Sequence, residues 1–158
     1  SILISLFLLM KTQHSKLLMS TTPVYTLIGI QSFRFLPEIF LDLSYRQGLA
    51  PVQMTYHGRN FEVIVASLAA IIFLLNKRIP ISPTKLGIFF SVVGLGFLIN
   101  IITIAILSTP TPVRIFMNEP ANIFVTQAPY IWLPAVLVSI AFWGHFLLIG
   151  KLYYNKST

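Results

Sequence analysis

Four polar side chains recur at helical spacing within an otherwise apolar stretch of the chain. Gln31, Arg34, Glu38 and Asp42 are separated by three, four and four residues, so they share one face of an α-helix. The residues around them, from about Leu17 to Leu43, are mostly apolar. This stripe carries the groups needed for an ion pair, a proton relay or acid–base chemistry.

Arg34 and Glu38 are expected to pair within the helix. An unpaired charge deep in a membrane costs about 2.5–3.5 kcal/mol on insertion scales. The pair is interpreted either as structural, locking the helix to its neighbours, or as part of a site for a polar or charged ligand or a proton relay. An acid–base role for Glu38 and Asp42 is a further alternative, although no nucleophile pattern accompanies them.

The three histidines do not form a metal-binding motif. His14, His57 and His145 are far apart, and no His-x-x-x-His or Glu-x-x-His spacing occurs. No metal or other cofactor is therefore predicted. His145 lies beside Trp143 near the end of an apolar segment and is interpreted as a residue of the membrane interface.

A glycine turn leads into the next apolar segment. His57, Gly58, Arg59 and Asn60 form this turn, and Glu62 follows them. We predict a turn and helix cap, with Asn60 as the capping residue and an acid in the first turn, where the helix dipole favours it. A helix start of this kind could also hold an anion, but Glu62 opposes that alternative.

The loop at 108–130 mixes prolines and aromatic residues with the polar residues Arg114, Asn118 and Glu119. Such a composition is typical of a segment at the membrane interface. We expect a packed interfacial connector. The alternative is that Arg114 and Glu119 close over the charged helix or bind a lipid headgroup.

The composition predicts a membrane protein. Of the 158 residues 56% are hydrophobic and only 9% are charged, whereas about a quarter of the residues of a soluble domain are charged. The apolar segments suit a bilayer core of about 30 Å. We predict an all-α polytopic transmembrane bundle that forms a single membrane domain over residues 1–158. Its predicted spans are four full ones and a partial N-terminal one, at about 22–43, 61–75, 86–107, 131–149 and 1–10.

The partial span at 1–10 is too short to cross a bilayer, so the chain is expected to be truncated at its N-terminus. The absence of cysteine excludes disulfides and a thiolate metal site. The basic residues are scattered between apolar segments, which is the pattern of membrane-flanking charges and not of a nucleic-acid interface.

The distribution of Lys and Arg predicts an orientation. Most of them fall in the turn after residue 10, in the connector at 76–85 and in the C-terminal tail. The positive-inside rule places these segments, and hence the C-terminus, in the cytoplasm. The loops at 44–60 and 108–130 are then extracytoplasmic, and every acidic residue belongs to that outer half.

Three strings in the chain together resemble a group of small uncharacterised bacterial integral membrane proteins. They are the strings Gln31-Ser-Phe-Arg34, Gly48-Leu-Ala-Pro-Val-Gln-Met-Thr-Tyr-His-Gly-Arg-Asn-Phe-Glu62 and Ile104-Ala-Ile-Leu-Ser-Thr-Pro-Thr-Pro-Val-Arg-Ile-Phe-Met-Asn-Glu-Pro-Ala-Asn122. The likeness covers about residues 30–148. It implies a location in the bacterial inner membrane and brings no assigned activity or catalytic residue.

The favoured function is therefore non-enzymatic. We expect a small membrane protein, embedded in the lipid bilayer, whose outer-facing polar cluster binds a partner, a lipid or a small solute; a membrane-protein partner or a homo-oligomer would fit. The alternatives are a small transporter or channel component and a membrane-embedded enzyme using a carboxylate and histidine cluster. The candidate cluster comprises Gln31, Arg34, Glu38, Asp42, His57, Arg59, Asn60, Glu62, Arg114, Asn118 and Glu119.

Overall fold

The structure is a computed structural model that describes the backbone of residues 12–157 and the side chains of residues 12–153. Throughout this part of the chain the regular elements are helices. The predicted partial span at 1–10 lies outside the described residues. The all-α prediction is therefore confirmed for the part of the chain that is described.

The helices are joined by two short connections near the N-terminus, a connector before α5 and two long loops. They are α1 (Gln13–Thr21), α2 (Val24–Ile30), α3 (Phe35–Arg46), α4 (Glu62–Leu74), α5 (Pro83–Ser108) and α6 (Val138–Ser157). A 3₁₀ turn at Gln31–Arg34 joins α2 to α3, and a π-helical turn at Leu133–Leu137 leads into α6. Short 3₁₀ turns also lie within the two long loops, at Val52–Met54 and Phe124–Thr126.

The predicted span at 22–43 is a helical run that tightens in its middle. Pro37 lies one turn beyond the 3₁₀ residues and has no N–H to bond the carbonyl of Phe33, against which its ring also presses. The chain accommodates this with 3₁₀ geometry over Gln31–Arg34 before α helix resumes at Phe35. The tightened turn lies at the polar stripe, which is where mid-helix 3₁₀ geometry often marks a functional position.

Within the described residues two helices are long and apolar enough to cross a membrane, and not the four full spans predicted. They are α5 and the run from Leu133 to Tyr153, which includes the π-helical turn. Only 28% of the apolar window of each is buried, whereas the core helix of a soluble protein would be mostly buried. Large apolar side chains such as Phe89 and Val92 project outward from α5. The two helices therefore suit a lipid surrounding.

The predicted span at 61–75 is shorter than a bilayer core. Helix α4 has 13 residues, which at about 1.5 Å per residue reach about 20 Å, against a core of about 30 Å. The stretch at 22–43 is interrupted by the 3₁₀ turn and carries three charges. These two segments therefore do not have the length or the uninterrupted apolar character of α5.

The helix ends fall into two groups. At one end, Gly87 near the start of α5 approaches Leu152 of α6 and Val24 of α2, and the buried Lys151 ammonium donates to the Met19 carbonyl of α1 at 2.8 Å. This end includes the predicted cytoplasmic connector and the C-terminal part of α6.

At the other end the two long loops meet. The Gln53 side chain donates to the Ser108 hydroxyl at 3.0 Å, and the Asn122 N–H donates to the Ser108 carbonyl at 2.9 Å. Two buried apolar clusters lie between these ends, one around Ile28 and Phe90 and the other around Leu41 and Ile104.

Candidate functional site

The polar stripe of the α2–α3 run is buried. Gln31, Arg34, Glu38 and Asp42 expose 1%, 2%, 4% and 8% of their surface. Their shared face packs mainly on α4, with α5 and α6 closing over Arg34 and Gln31. Each group must therefore find its partners within the protein, because a buried polar group without one is costly.

Arg34 pairs with Glu62 and not with Glu38. The Arg34 Nε lies 2.7 Å from the Glu62 Oε2, while the Glu38 Oε1 accepts a hydrogen bond from the Asn60 side chain at 2.7 Å. The expected pairing within the helix is therefore wrong. Packing of the 3₁₀ turn against the first turn of α4 brings Glu62 to Arg34, and the loop residue Asn60 hydrogen-bonds to Glu38.

The other end of the Arg34 guanidinium meets α5 and α6. Its two Nη atoms donate to the Gly94 carbonyl at 3.4 and 3.3 Å, and Nη1 lies 3.4 Å from the His145 Nε2. An arginine only donates, so Nε2 accepts and the ring proton lies on Nδ1. Glycine at 94 is required here, since a Cβ would lie 2.4 Å from His145 Cε1.

His145 is the central residue that sequence reasoning placed wrongly. It is fully buried and stacks on Phe90, with ring centroids 5.6 Å apart, so its interpretation as an interface residue is wrong. His145 lies 111 residues from Arg34 in sequence. The adjoining Gly144 was the available sequence signal for a close helix contact at this position. In the structure a Cβ at Gly144 would lie 2.4 Å from the Gln31 side chain.

Asn60 joins the stripe to α4. Its amide nitrogen donates to Glu38 and to the Met54 carbonyl at 3.0 Å, and its amide oxygen accepts from the Glu62 N–H at 3.1 Å. Asn60 thus caps α4 as the sequence predicts, and in doing so it also holds Glu38. Gln31 completes the row by donating to the Ala141 carbonyl at 3.2 Å.

Asp42 forms a separate group nearer the loop. Its Oδ2 accepts from the Arg46 Nε at 2.7 Å, and its Oδ1 lies 3.3 Å from the His57 Nε2 in an ion-pair geometry without a hydrogen bond. The His57 ring lies tilted against the Tyr56 ring, with centroids 4.2 Å apart. The hydrogen bond to Asp42, helped by one to Tyr56, raises the pKa of Arg46, which stays charged.

The loop charges close on themselves. Arg114 lies 3.0 Å from Glu119 and donates to the carbonyls of Phe116 and Asn118. Arg59 lies over the Phe116 ring, 5.1 Å from its centroid. These four polar residues, Arg59, Arg114, Asn118 and Glu119, are exposed or half-buried, and these side-chain contacts are within the loops. The structure therefore divides the predicted cluster into three groups.

A cleft of about 750 Å³ opens beside the buried group. Its walls come from α3, α5, the π-helical turn and the first part of α6, and they are mainly aliphatic, with Leu98, Ile102, Leu137 and Val138 among them. Ile99 and Ile106 also line it and are 58% and 54% exposed, so they form the rim of its mouth.

One end of the cleft is charged. Arg34, Glu38 and Glu62 all line it. The Oε2 of Glu38 and the Oε1 of Glu62 are buried and have no hydrogen-bond partner. The cleft is therefore an apolar chamber with a charged end whose carboxylates are only partly satisfied, which is the usual composition of a small-molecule site.

The geometry offers little for metal or acid–base chemistry. No group of three or more potential metal ligands occurs among residues 12–153. A membrane-embedded enzyme would need Glu38, Asp42, His57 or Glu119 to converge. Of these residues, only Asp42 and His57 approach one another. Glu38 is held by Asn60, and Glu119 by Arg114 and the Ala121 N–H.

Comparison of the chain with protein-family models, with curated proteins and with solved structures finds no match.

Proposed function

We propose that this chain is an integral membrane protein that binds an amphipathic molecule, dissolved in the bilayer, within the cleft between α3, α5 and α6. The observation that carries the proposal is the combination of apolar walls with a buried charged end in one cleft of about 750 Å³. This volume falls in the range of about 300–1,000 Å³ that ligand pockets occupy. The aliphatic walls suit a hydrocarbon chain, and the charged end suits a polar headgroup.

The position of the mouth supports entry from the membrane. Ile99 and Ile106 of α5 stand at the rim with more than half of their surface exposed. The same helix carries other exposed apolar side chains, such as Val92 and Phe89. A molecule that enters past these residues comes from an apolar environment and not from water. A lipid-like ligand therefore fits better than a water-soluble one.

Binding is favoured over transport by the position of Asn100. A transporter or channel component would need Arg34, Glu38 and Asn100 to line one continuous hydrated path. Asn100 instead donates to the Arg59 carbonyl at 2.9 Å and does not line the cleft. The arrangement therefore supports a chamber with one polar end better than a continuous polar path.

For the whole chain we propose a multi-pass protein of the bacterial inner membrane. In this topology the runs at 22–43 and 62–74 cross the bilayer with α5 and α6. The loops at 44–60 and 108–130 are extracytoplasmic and the C-terminus is cytoplasmic. The grouping of the basic connector with the end of α6, opposite the two loops, supports this arrangement. The shorter run at 62–74 would need local thinning of the bilayer or help from its neighbours.

Cysteine accessibility tests the topology, because the native chain has no cysteine. We expect Thr111→Cys to react with a membrane-impermeant maleimide in intact bacterial cells, whereas Ile81→Cys reacts only after lysis. Both positions are exposed. Labelling with the opposite pattern would overturn the orientation, and labelling of both in intact cells would overturn the multi-pass arrangement.

Photo-crosslinking tests the binding proposal. The full chain, reconstituted in phosphatidylcholine nanodiscs, is irradiated with a diazirine-bearing hexadecanol, and the labelled residues are mapped by mass spectrometry. We expect saturable labelling of the cleft walls on α5 and α6. Val138→Phe, which fills the cleft, should abolish that labelling.

Val136→Phe is the matched control, because Val136 is in the same helical segment, is 48% exposed and does not line the cleft. It should leave the labelling of the cleft walls unchanged. Labelling spread evenly over the outer faces of the helices, or unaffected by Val138→Phe, would refute the proposed site.

A further inference from the structure

The charges at the polar end of the cleft do not balance. Among the described residues that line the cleft, the ionisable ones are one base, Arg34, and two acids, Glu38 and Glu62. His145 accepts from Arg34 and therefore contributes no positive charge. Asp42, one turn further along α3, is neutralised by Arg46. With both carboxyl groups ionised, the polar end lacks one positive charge.

The guanidinium of Arg34 already has partners within the protein. Its Nε is bound to Glu62, and its two Nη atoms are bound to the Gly94 carbonyl. An anionic headgroup would have to displace one of these partners. It would also have to approach two carboxylates, so the cleft is poorly suited to carboxylate, sulfate or phosphate ligands.

The acids, in contrast, retain free acceptors. Glu38 and Glu62 are each 96% buried, since each exposes 4% of its surface, and both line the cleft. Each uses one carboxylate oxygen for a protein partner, Asn60 or Arg34, and leaves the other without any. Two residues that line the same cleft therefore each carry a buried carboxylate oxygen without a partner, which points to a ligand with several hydrogen-bond donors and a positive charge.

We infer that the headgroup bound in this cleft is a cation, specifically the primary ammonium of a long-chain amine. An ammonium carries three N–H donors and one charge, so it can bond both free oxygens and neutralise the polar end. Neutralisation matters because a lone buried charge is strongly destabilising. This inference rests on the proposed function, and it adds the class of headgroup that the cleft selects.

Competition between ligands of equal chain length tests the inference. Full-length protein in phosphatidylcholine nanodiscs is labelled with the photoreactive hexadecanol in the presence of hexadecylamine, hexadecanol or palmitate. Because the three competitors share a 16-carbon chain, they differ only in headgroup. We expect hexadecylamine to compete at least 10-fold better than the other two.

A charge-removing variant identifies the group responsible. Glu38→Gln keeps the size of the side chain and an oxygen that can accept from Asn60, and it should abolish the preference for the amine. Labelling by hexadecanol at the cleft walls should persist, which shows that the variant is folded. Glu119→Gln is the matched control, because Glu119 is exposed in a loop and pairs with Arg114 outside the cleft. Glu62 is left intact because it is the partner of Arg34.

Each outcome separates the inference from the proposed function. Equal competition by the three ligands at the cleft, or the strongest competition by palmitate, would overturn the cationic headgroup and leave the binding cleft intact. No saturable labelling at the cleft would overturn the proposed function itself. If Glu38→Gln loses hexadecanol labelling and therefore the fold, the headgroup series on the native protein decides alone.

Discussion

The substitution Gly94→Ala tests the close approach of α5 to the buried Arg34. The Cβ of an alanine would lie 2.4 Å from Cε1 and 2.6 Å from Nε2 of His145, and 3.3 Å from Arg34 Nη1. The His145 ring also stacks on Phe90, which lies one turn before Gly94 on α5. The ring therefore cannot retreat without disturbing its stacking, and Arg34 would lose part of its coordination.

Gly96→Ala is the control against which the stability of Gly94→Ala is compared. Gly96 is on the same helix, and a Cβ there meets no atom within 4 Å. Both substitutions gain about 1 kcal/mol of helix propensity, so their difference isolates the steric clash. Forcing an extra methyl group into a packed site typically costs about 1–3 kcal/mol. We expect Gly94→Ala to be less stable than Gly96→Ala by that amount.

Reversible unfolding of the purified protein in mixed micelles, titrated with sodium dodecyl sulfate, measures the difference. A second variant, His145→Ala, removes the obstructing ring. In the double variant the clash is relieved, so the two substitutions should be non-additive by about 0.5–3 kcal/mol. Equal stability of the two glycine variants, or additive effects in the double variant, would refute the proposed geometry around Arg34.

Two further predictions concern buried charges. Arg34→Met or Glu62→Gln alone should destabilise the protein by about 3–5 kcal/mol because each removes one partner of a buried ion pair, and the double variant should be more stable than either single variant; the same titration measures this, and simple additivity would contradict the ion pair. Lys151→Met should cost about 1.5–3 kcal/mol by removing the charged donor to the Met19 carbonyl, whereas the exposed Lys77→Met should change stability by less than about 0.5 kcal/mol. Similar effects of the two lysine substitutions would show that the bond to Met19 contributes nothing.

The secondary structure was largely readable from local signals. Ser82 and Pro83 begin α5 as an N-cap and first-turn proline, a few residues before the predicted start at 86. Asn60 and Glu62 begin α4 as predicted. The tightened turn at Gln31–Arg34 was not predicted, although Pro37 is a local source of distortion. These features depend on residues within a turn of one another, so sequence reasoning can reach them.

The site was only half predictable. Spacing alone placed Gln31, Arg34, Glu38 and Asp42 on one face, and all four are buried there. It suggested the wrong partner for Arg34, since residues four apart can meet on an isolated helix. In the folded protein Glu62 pairs with Arg34 and Asn60 donates to Glu38, and both partners come from another segment of the chain. The loop residues Arg114, Asn118 and Glu119 were candidates for the same polar cluster and instead bind one another.

The sequence by itself determined the class of protein and the face that is polar. The apolar composition, the spacing of the charges and the capping residues act locally or through simple burial, so they do not depend on how the helices meet. Only the tertiary structure decided that Arg34 meets Glu62, Gly94 and His145, and that a cleft opens beside them. Those contacts join segments 60 and 111 residues away along the chain. They arise from which helix faces pack together, and this depends on the fit of whole surfaces and not on the spacing within any one segment.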